Sequence, residues 1–509
     1  IPLWWGLPSH DARTWAFDEI PTHHHGRTLQ TRHRGRYPPL HYALLRAAYG
    51  PIRYLESAGI VELDKVQLRS SLQIVGRSLS VLLATATIFL VYRIGLLLFD
   101  RSSTALMAAL SASLVVPFVF FAKTINLEAP YLFWFTLSVL FFVRLLKHHR
   151  FLDYLAFATV MALAVTTKDQ AFALYLLAPV ILLVDLHHCS GEKVGVESTS
   201  WLRTLFDRRL IGGALLAAVL FALIHGIFTD WSAFVRHVEI ITGKASQPSQ
   251  MFDHSVAGHV DMLHLALRHM AFSMGWPLLI AAAFGISVAW RERRWHLLSL
   301  LTFPVSYYLF FIVPILYHRV RYFLPLCVVL SLFAALALER LREEPSAHRW
   351  VGRAAVIAIL FYSFLRPMTL DQEMLFDSRY AVEEWVAERD EDHKVIYIGF
   401  NRPRLPRGRR VRSLEEAAAS GVDFLRQANA DFVVVNEGEG EKGPRRQFME
   451  DLVGGALNFE VLYREQYQPW PFRLDRSGLA TNLITVNPPL TVLERQEPWD
   501  QYQADGAEP

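Results

Sequence analysis

Three carboxylates and a group of cations, set in the first polar stretch or where a long apolar run begins or ends, are the residues of this chain that could do chemistry. Asp18 and Glu19 lie in a polar stretch ahead of the first apolar run, and Asn126 and Glu128 stand at the start of a later one. Lys168 follows another run, and His318, Arg319 and Arg321 lead into the one that begins at Tyr322. Ionisable groups at a lipid boundary are costly unless they face a cavity or one another. Gathered on one face of a membrane, these residues suit a transfer in which a carboxylate takes the proton of an acceptor and cations hold a departing phosphate. Arg fits phosphate by its planar fork and Lys by its compact charge. Phosphate leaves readily, so a single base suffices. Asp18 is expected to be that base, Glu128 a second acid that orients the acceptor or an ion, and Lys168, His318, Arg319 and Arg321 the phosphate side. Glu19, Tyr37, His41 and Asn126 are expected to support the loop and the substrates.

Each of these residues also has a plainer role open to it. Asp18 could cap a helix. Glu19 could pair with an Arg of its own loop. Glu128 precedes Ala129-Pro130, where a helix dipole favours an acid. Lys168, Arg319 and Arg321 could snorkel to the interface, and the two arginines could hold anionic lipid head groups. The convergence of these residues, more than any one of them, points to a site.

The elements that must position them follow from composition. Hydrophobic residues make up 52% of the 509 and charged residues 19%, which is the balance of a polytopic membrane protein. A net charge of +3, with Lys and Arg scattered over short loops, leaves no basic face for nucleic acid. A spanning helix needs about 20 apolar residues. About ten stretches between 71 and 367 meet or approach that length, among them 104–122 and 263–290, while the short runs 151–167 and 171–186 meet at Lys168-Asp169-Gln170. Loops richer in Lys and Arg, such as 144–150 and 291–294, are expected on the cytoplasmic side. Residues 1–70 and the chain beyond 371 then share the extracytoplasmic side, although Arg13, Arg27, Arg32, Arg34, Arg36, Arg46 and Arg53 of the first loop cut against the rule. Cys189 and Cys327 fall on opposite sides, which argues against a bridge between them. The chain opens on Ile1, so a further spanning helix is expected upstream.

Three regions result: a first loop over 1–70, a helical membrane domain over 71–367, and a soluble α/β domain over 371–509. Within the loop, Pro38-Pro39 suits a helix start, and Leu40, Leu44, Leu45, Ala48, Tyr49 and Tyr54 recur at nearly helical spacing opposite His41, Arg46 and Arg53, as in a helix lying in the membrane interface. In the tail, 395–399, 431–436, 460–463 and 482–486 read as strands, and 380–389, 414–429 and 448–457 as helices. No Gly-rich phosphate loop follows the first strand, which argues against a nucleotide. The run His23-His24-His25, with His10, His33 and His41, lacks the spacing of a helical zinc site and reads as solvated. No cofactor is required by these residues, and a divalent cation could sit between Asp18 and Glu128.

In order and spacing, Asp18-Glu19, Tyr37-Pro38-Pro39-Leu40, Asn126-Leu127-Glu128-Ala129-Pro130-Tyr131, Thr167-Lys168 and His318-Arg319-Val320-Arg321-Tyr322-Phe323-Leu324-Pro325 resemble the GT-C membrane glycosyltransferases, specifically the family-39-like group of protein O-mannosyltransferases and aminoarabinose transferases. The resemblance covers residues 11 to about 340. It implies inverting transfer of a sugar from a polyprenyl-phosphate donor to a lipid, protein or glycan acceptor on the periplasmic or lumenal side of a cell membrane. Carried over by position, Asp18 takes the catalytic loop acid, Glu128 the second-loop acid, and Lys168, Arg319 and Arg321 the phosphate side. Glu128 stands where the family often has Asp. The alternative is a transporter or lipid flippase with an external domain, but that function favours broken helices and charge near the bilayer midplane. Here the ionisable residues lie mainly at helix ends.

Overall fold

The structure, a computed structural model, describes residues 2–8, 14–16, 18–22, 37–194, 201–242, 251–343, 349–388, 394–399, 403, 410–412, 414–421, 423–439 and 444–501. The histidines at 10, 23, 24, 25 and 33 lie outside the described residues. Among the described residues, six helical segments are long and apolar enough to span a membrane: Lys65–Phe99, Glu128–His148, Asp169–His188, Trp295–Ile315, Val320–Glu343 and Trp350–Ala387. The bent pair Val256–Met274 and Trp276–Arg291 makes up to seven. The protein is therefore a multi-pass, mostly helical membrane protein.

The difference from about ten stretches lies in breaks that hydropathy does not register. Residues 104–122 divide at Leu114-Val115 into the helices Ser102–Ser113 and Val116–Phe121. Residues 263–290 turn through 109° at Gly275, where φ is +79°. Phe151–Val165 and Arg208–Ile224 are helical but short. The first long helix begins where Asp64 accepts from the Val66 and Gln67 N–H groups while the Gln67 side chain accepts from the Asp64 N–H, a reciprocal cap. Before it, the helix Leu40–Ser57 starts after Pro39 and buries His41, Leu45 and Tyr49. His41 thus lies on the inner face with the apolar residues, not opposite them.

Close packing in the membrane comes from small residues. A Cβ on Gly285 of the Trp276–Arg291 helix would come within 1.9 Å of the Phe333 carbonyl oxygen on Leu324–Glu343, so the two backbones nearly touch. This contact fixes the helix whose N-terminal turn carries Arg321.

The tail forms a five-stranded mixed sheet of β1 (Val395–Ile398), β2 (Arg410–Arg412), β3 (Phe432–Asn436), β4 (Phe459–Glu465) and β5 (Leu490–Arg495), in the order β2-β1-β3-β5-β4. β1 pairs in parallel with β2 and β3, while β5 runs antiparallel to both β3 and β4. The stretch 482–486, expected as a strand, is instead a short 3-10 turn at Asn482–Thr485. Residues 414–429, expected as one helix, form two, with Gly421 at φ +59° between them.

A long strap between β4 and β5 returns to the membrane domain. It is tied there by Glu373, which is buried and pairs with Arg473 at 3.2 Å and with Arg476. Beside it, Asp377 pairs with Arg379 at 2.6 Å and accepts from the Trp5 indole at 3.0 Å. The Arg379 guanidinium lies 4.0 Å from the Trp15 ring centroid. The beginning of the chain, the last spanning helix and the strap are thereby joined.

Candidate active site

The first loop reaches its place through Glu19. Arg77, inside the Lys65–Phe99 helix, donates to both Glu19 carboxylate oxygens at 2.8 Å and from its remaining nitrogen to the Leu3 and Trp5 carbonyls at 2.6 Å. The same carboxylate accepts from the Ile125 N–H, and the Ile20 N–H donates to the Ile125 carbonyl, both at 2.8 Å. Glu19 therefore joins the first loop to the second. Its partner comes from the following helix and not from its own loop. Asn126 completes the junction by donating to the backbone carbonyl of Asp18 at 3.2 Å, while its own carbonyl oxygen lies 3.4 Å from the Glu128 N–H.

Held this way, Asp18 turns its side chain towards Arg321. One carboxylate oxygen accepts from Arg321 at 2.6 Å and from the Asn482 amide at 2.7 Å. The side chain is 28% exposed, so the group stays open to solvent while being held on one side. Burial alone would raise the Asp18 pKa. The Arg321 charge and the Asn482 hydrogen bond outweigh it and keep the carboxyl below the usual aspartate range.

Arg321 also faces the second acid, with its Nε 3.4 Å from Glu128. Glu128 is only 2% exposed, begins the Glu128–His148 helix and accepts from Lys168 at 2.6 Å. Lys168 reaches it from the turn after Phe151–Val165, with its ammonium 5.4 Å from the Tyr131 ring centroid and 5.9 Å from that of Tyr322. Burial, the largest cause, and the neighbouring Arg321 lower the lysine pKa, while Glu128 and Asp18 act against them. Asp18, Arg321, Glu128 and Lys168 thus form one chain of alternating charge. Around it, Glu128 Oε2 and the Tyr307 hydroxyl are buried without a hydrogen-bond partner. Tyr307 stands directly before a π-helical turn at Tyr308–Ile312, a distortion often found at functional sites.

The other expected residues lie at varying distance from this chain. Arg319 donates to the Tyr317 hydroxyl and faces a cavity of about 690 Å³ that Asn482 also lines. His318 is buried away from the acids, with Nδ1 3.0 Å from His269 Nδ1 and Nε2 3.0 Å from the Met262 carbonyl. Tyr37 is exposed and within electrostatic reach of Arg321. His41 is buried one residue after Leu40, whose N–H donates to the Thr166 carbonyl at 3.2 Å and ties the Pro38-Pro39 turn to the Lys168 corner. Arg321 lies between Asp18 and Glu128, the place the sequence offers a divalent cation. Among the described residues, no group of three or more His, Cys, Asp or Glu could hold a metal ion.

Sequence reasoning missed Asn482, Arg77, Tyr131 and Tyr307. Asn482 sits in a stretch that read as a strand. Arg77, a charge six residues into an apolar run, was the available signal for a buried partner.

Residues 66–195 match the family described as dolichyl-phosphate-mannose-protein mannosyltransferase, a segment that contains Arg77, Asn126, Glu128 and Lys168. No curated protein matches the chain in sequence. Among solved structures, ArnT from Cupriavidus metallidurans in the apo state is similar over 94% of this chain and 92% of its own, at 12% identity and a TM-score of 0.46. The same protein bound to undecaprenyl phosphate is similar over 89% and 87%, at 11% identity and a TM-score of 0.42. The archaeal oligosaccharyltransferase AglB from Archaeoglobus fulgidus, in complex with an inhibitory peptide and a dolichol-phosphate, is similar over 86% and 67%, at 13% identity and a TM-score of 0.39. The match makes residues 66–195 similar to that mannosyltransferase family, over about a quarter of the chain.

Proposed function

We propose that the protein transfers a hexosyl or pentosyl group from a polyprenyl-phosphate donor to a lipid, protein or glycan acceptor on the extracytoplasmic, periplasmic side of the membrane. Asp18 takes the proton from the acceptor's nucleophilic atom, and that atom attacks the anomeric carbon from the face opposite the phosphate. The new bond forms as the bond from the anomeric carbon to the phosphate oxygen breaks. The electron pair leaves with polyprenyl phosphate, and the configuration inverts. Lys168 and Arg321 balance the charge of the leaving phosphate, and Arg319 stands on the approach. Glu128 keeps the two cations in place, while His318 fixes the Tyr317–Arg321 turn from behind.

The observation that carries this reading is the placement of Arg321 between the two carboxylates. One cation both holds the base in its charged form and stands where phosphate charge would be met. Burial in a low-dielectric surrounding strengthens that attraction relative to water. The test is stereochemical. Purified protein supplied with a polyprenyl-phosphate sugar of known anomeric configuration is expected to give a product of the opposite configuration by NMR. A product that retains the donor's configuration would contradict direct displacement.

A further inference from the structure

A second cavity, of about 470 Å³, lies at the corner where Val256–Met274 turns into Trp276–Arg291, bounded by the Arg349–Leu375 helix and the strap. We infer that it binds the phosphate head group of a membrane lipid through Arg268, Arg366 and Arg473.

Charge is the first support. Three guanidiniums line the cavity against one acid, Asp475, whose carboxylate accepts from the Ser477 N–H. Among the described residues, neither Arg268 nor Arg366 has a carboxylate within ion-pair distance; Arg473 shares Glu373 with Arg476. Arg366 is held by the Phe272 carbonyl at 2.5 Å and the Tyr362 hydroxyl at 3.3 Å, and its buried Nε has no partner. Arg268 donates from one nitrogen to the Ser477 carbonyl at 2.9 Å, leaving its other N–H groups to a ligand. Fixed guanidiniums with donors to spare are suited to a phosphate.

Position is the second support. Val256, Val260, Leu263 and Leu267 form an exposed apolar stripe along one face of their helix, as expected of a helix lying in the membrane interface. Trp276, at the cavity, is 51% exposed, and Phe361 and Phe364 are exposed on the neighbouring spanning helix. Tyr362 and Phe472 stack at 6.1 Å within the lining. Aromatic rings at head-group depth beside a basic pocket are the surroundings of a lipid phosphate. Gly275 keeps the corner open, because a Cβ there would come within 3.1 Å of the Arg366 side chain and 3.2 Å of the Tyr362 ring.

The strap residues 473–479 wall this cavity on one side and line the 690 Å³ cavity on the other. A lipid held here would brace the segment that delivers Asn482 to Asp18. The site does not depend on the reaction proposed above, so its test needs no turnover.

The full chain, purified in detergent, is offered phosphatidylglycerol, undecaprenyl phosphate or diacylglycerol, and bound lipid is counted by native mass spectrometry. Retention of a phosphate lipid and not of diacylglycerol is expected. Arg366→Gln and Arg268→Gln are each expected to lower retention by about tenfold, the weight of one hydrogen bond to a charged group. Arg268 is exposed, so its variant keeps the test open if Arg366→Gln fails to fold. Arg321→Ala is expected to leave phosphatidylglycerol retention unchanged, which separates this site from the one at Asp18. Preference for phosphatidylglycerol would name a bulk lipid as the occupant, and preference for undecaprenyl phosphate the carrier. Equal retention of diacylglycerol, or full retention by both arginine variants, would overturn the inference.

Discussion

Asp18 has one oxygen committed to Arg321 and Asn482, and its titration follows from those two partners. Because they hold the carboxyl below the usual aspartate range, the proposed base stays charged as pH falls through that range, and transfer should decline only below it. Asn482→Ala should move this acid limb upward and lower kcat by roughly tenfold, the effect of one hydrogen bond to a charged group. A pH–rate profile checks both, and an unmoved limb would separate Asn482 from the base. Lys168 has the opposite sign. Its pKa lies below the ordinary lysine value, so the cation and its bond to Glu128 are lost as pH rises, earlier than for a lysine in water. The wild-type profile should show an alkaline limb that Lys168→Arg removes, since arginine stays charged. Glu19 belongs to stability instead. Glu19→Gln leaves Arg77 buried without its counter-charge and should cost about 3–5 kcal/mol, seen as a lower Tm.

Two contacts brace the segment that carries Arg321: the Gly285–Phe333 approach, further along its helix, and the His269–His318 pair at the preceding turn. Gly285→Ala would force the backbones apart or bend one of them, at about 1–3 kcal/mol, the usual cost of overpacking. The expected readout is a lower Tm together with a raised KM for the donor, measured by thermal melting and steady-state kinetics; a normal KM would mean that the helix moves without carrying Arg321. Helix ends at Glu128, Lys168 and Arg321 were legible in the sequence because an ionisable residue at the edge of an apolar run needs a reason to be there. The corner at Gly275 was not, since hydropathy continues across it and only a positive φ marks the break. Nor was the inner placement of His41, which shares its helix face with Leu45 and Tyr49. A histidine at helical spacing looks polar until its neighbours are known.

At the scale of the molecule, the tail and the helical region meet at the candidate site, where Asn482 donates to Asp18. The soluble α/β character of the tail was legible from its change in composition and its two short apolar strands. Its contribution to the site was not, because Asn482 and Asp18 are separated by nearly the whole chain and are brought together by contacts such as the Glu373–Arg476 pair and the bond from the Val320 N–H to the Ala480 carbonyl. A chain ending at Asp371 should still insert its earlier helices but lose transfer, a result that membrane fractionation and a transfer assay would read together.

The most direct test of the account is Asp18→Asn, assayed with a polyprenyl-phosphate sugar and its acceptor alongside a measurement of donor binding. Asparagine keeps the size of the side chain and can still meet Arg321 and Asn482 through its carbonyl oxygen, but it cannot take the acceptor's proton. The account predicts a loss of about 10²–10⁴-fold in kcat, the usual weight of a general base, with donor binding retained and the protein still in the membrane. A transfer rate within a few-fold of wild type would contradict it.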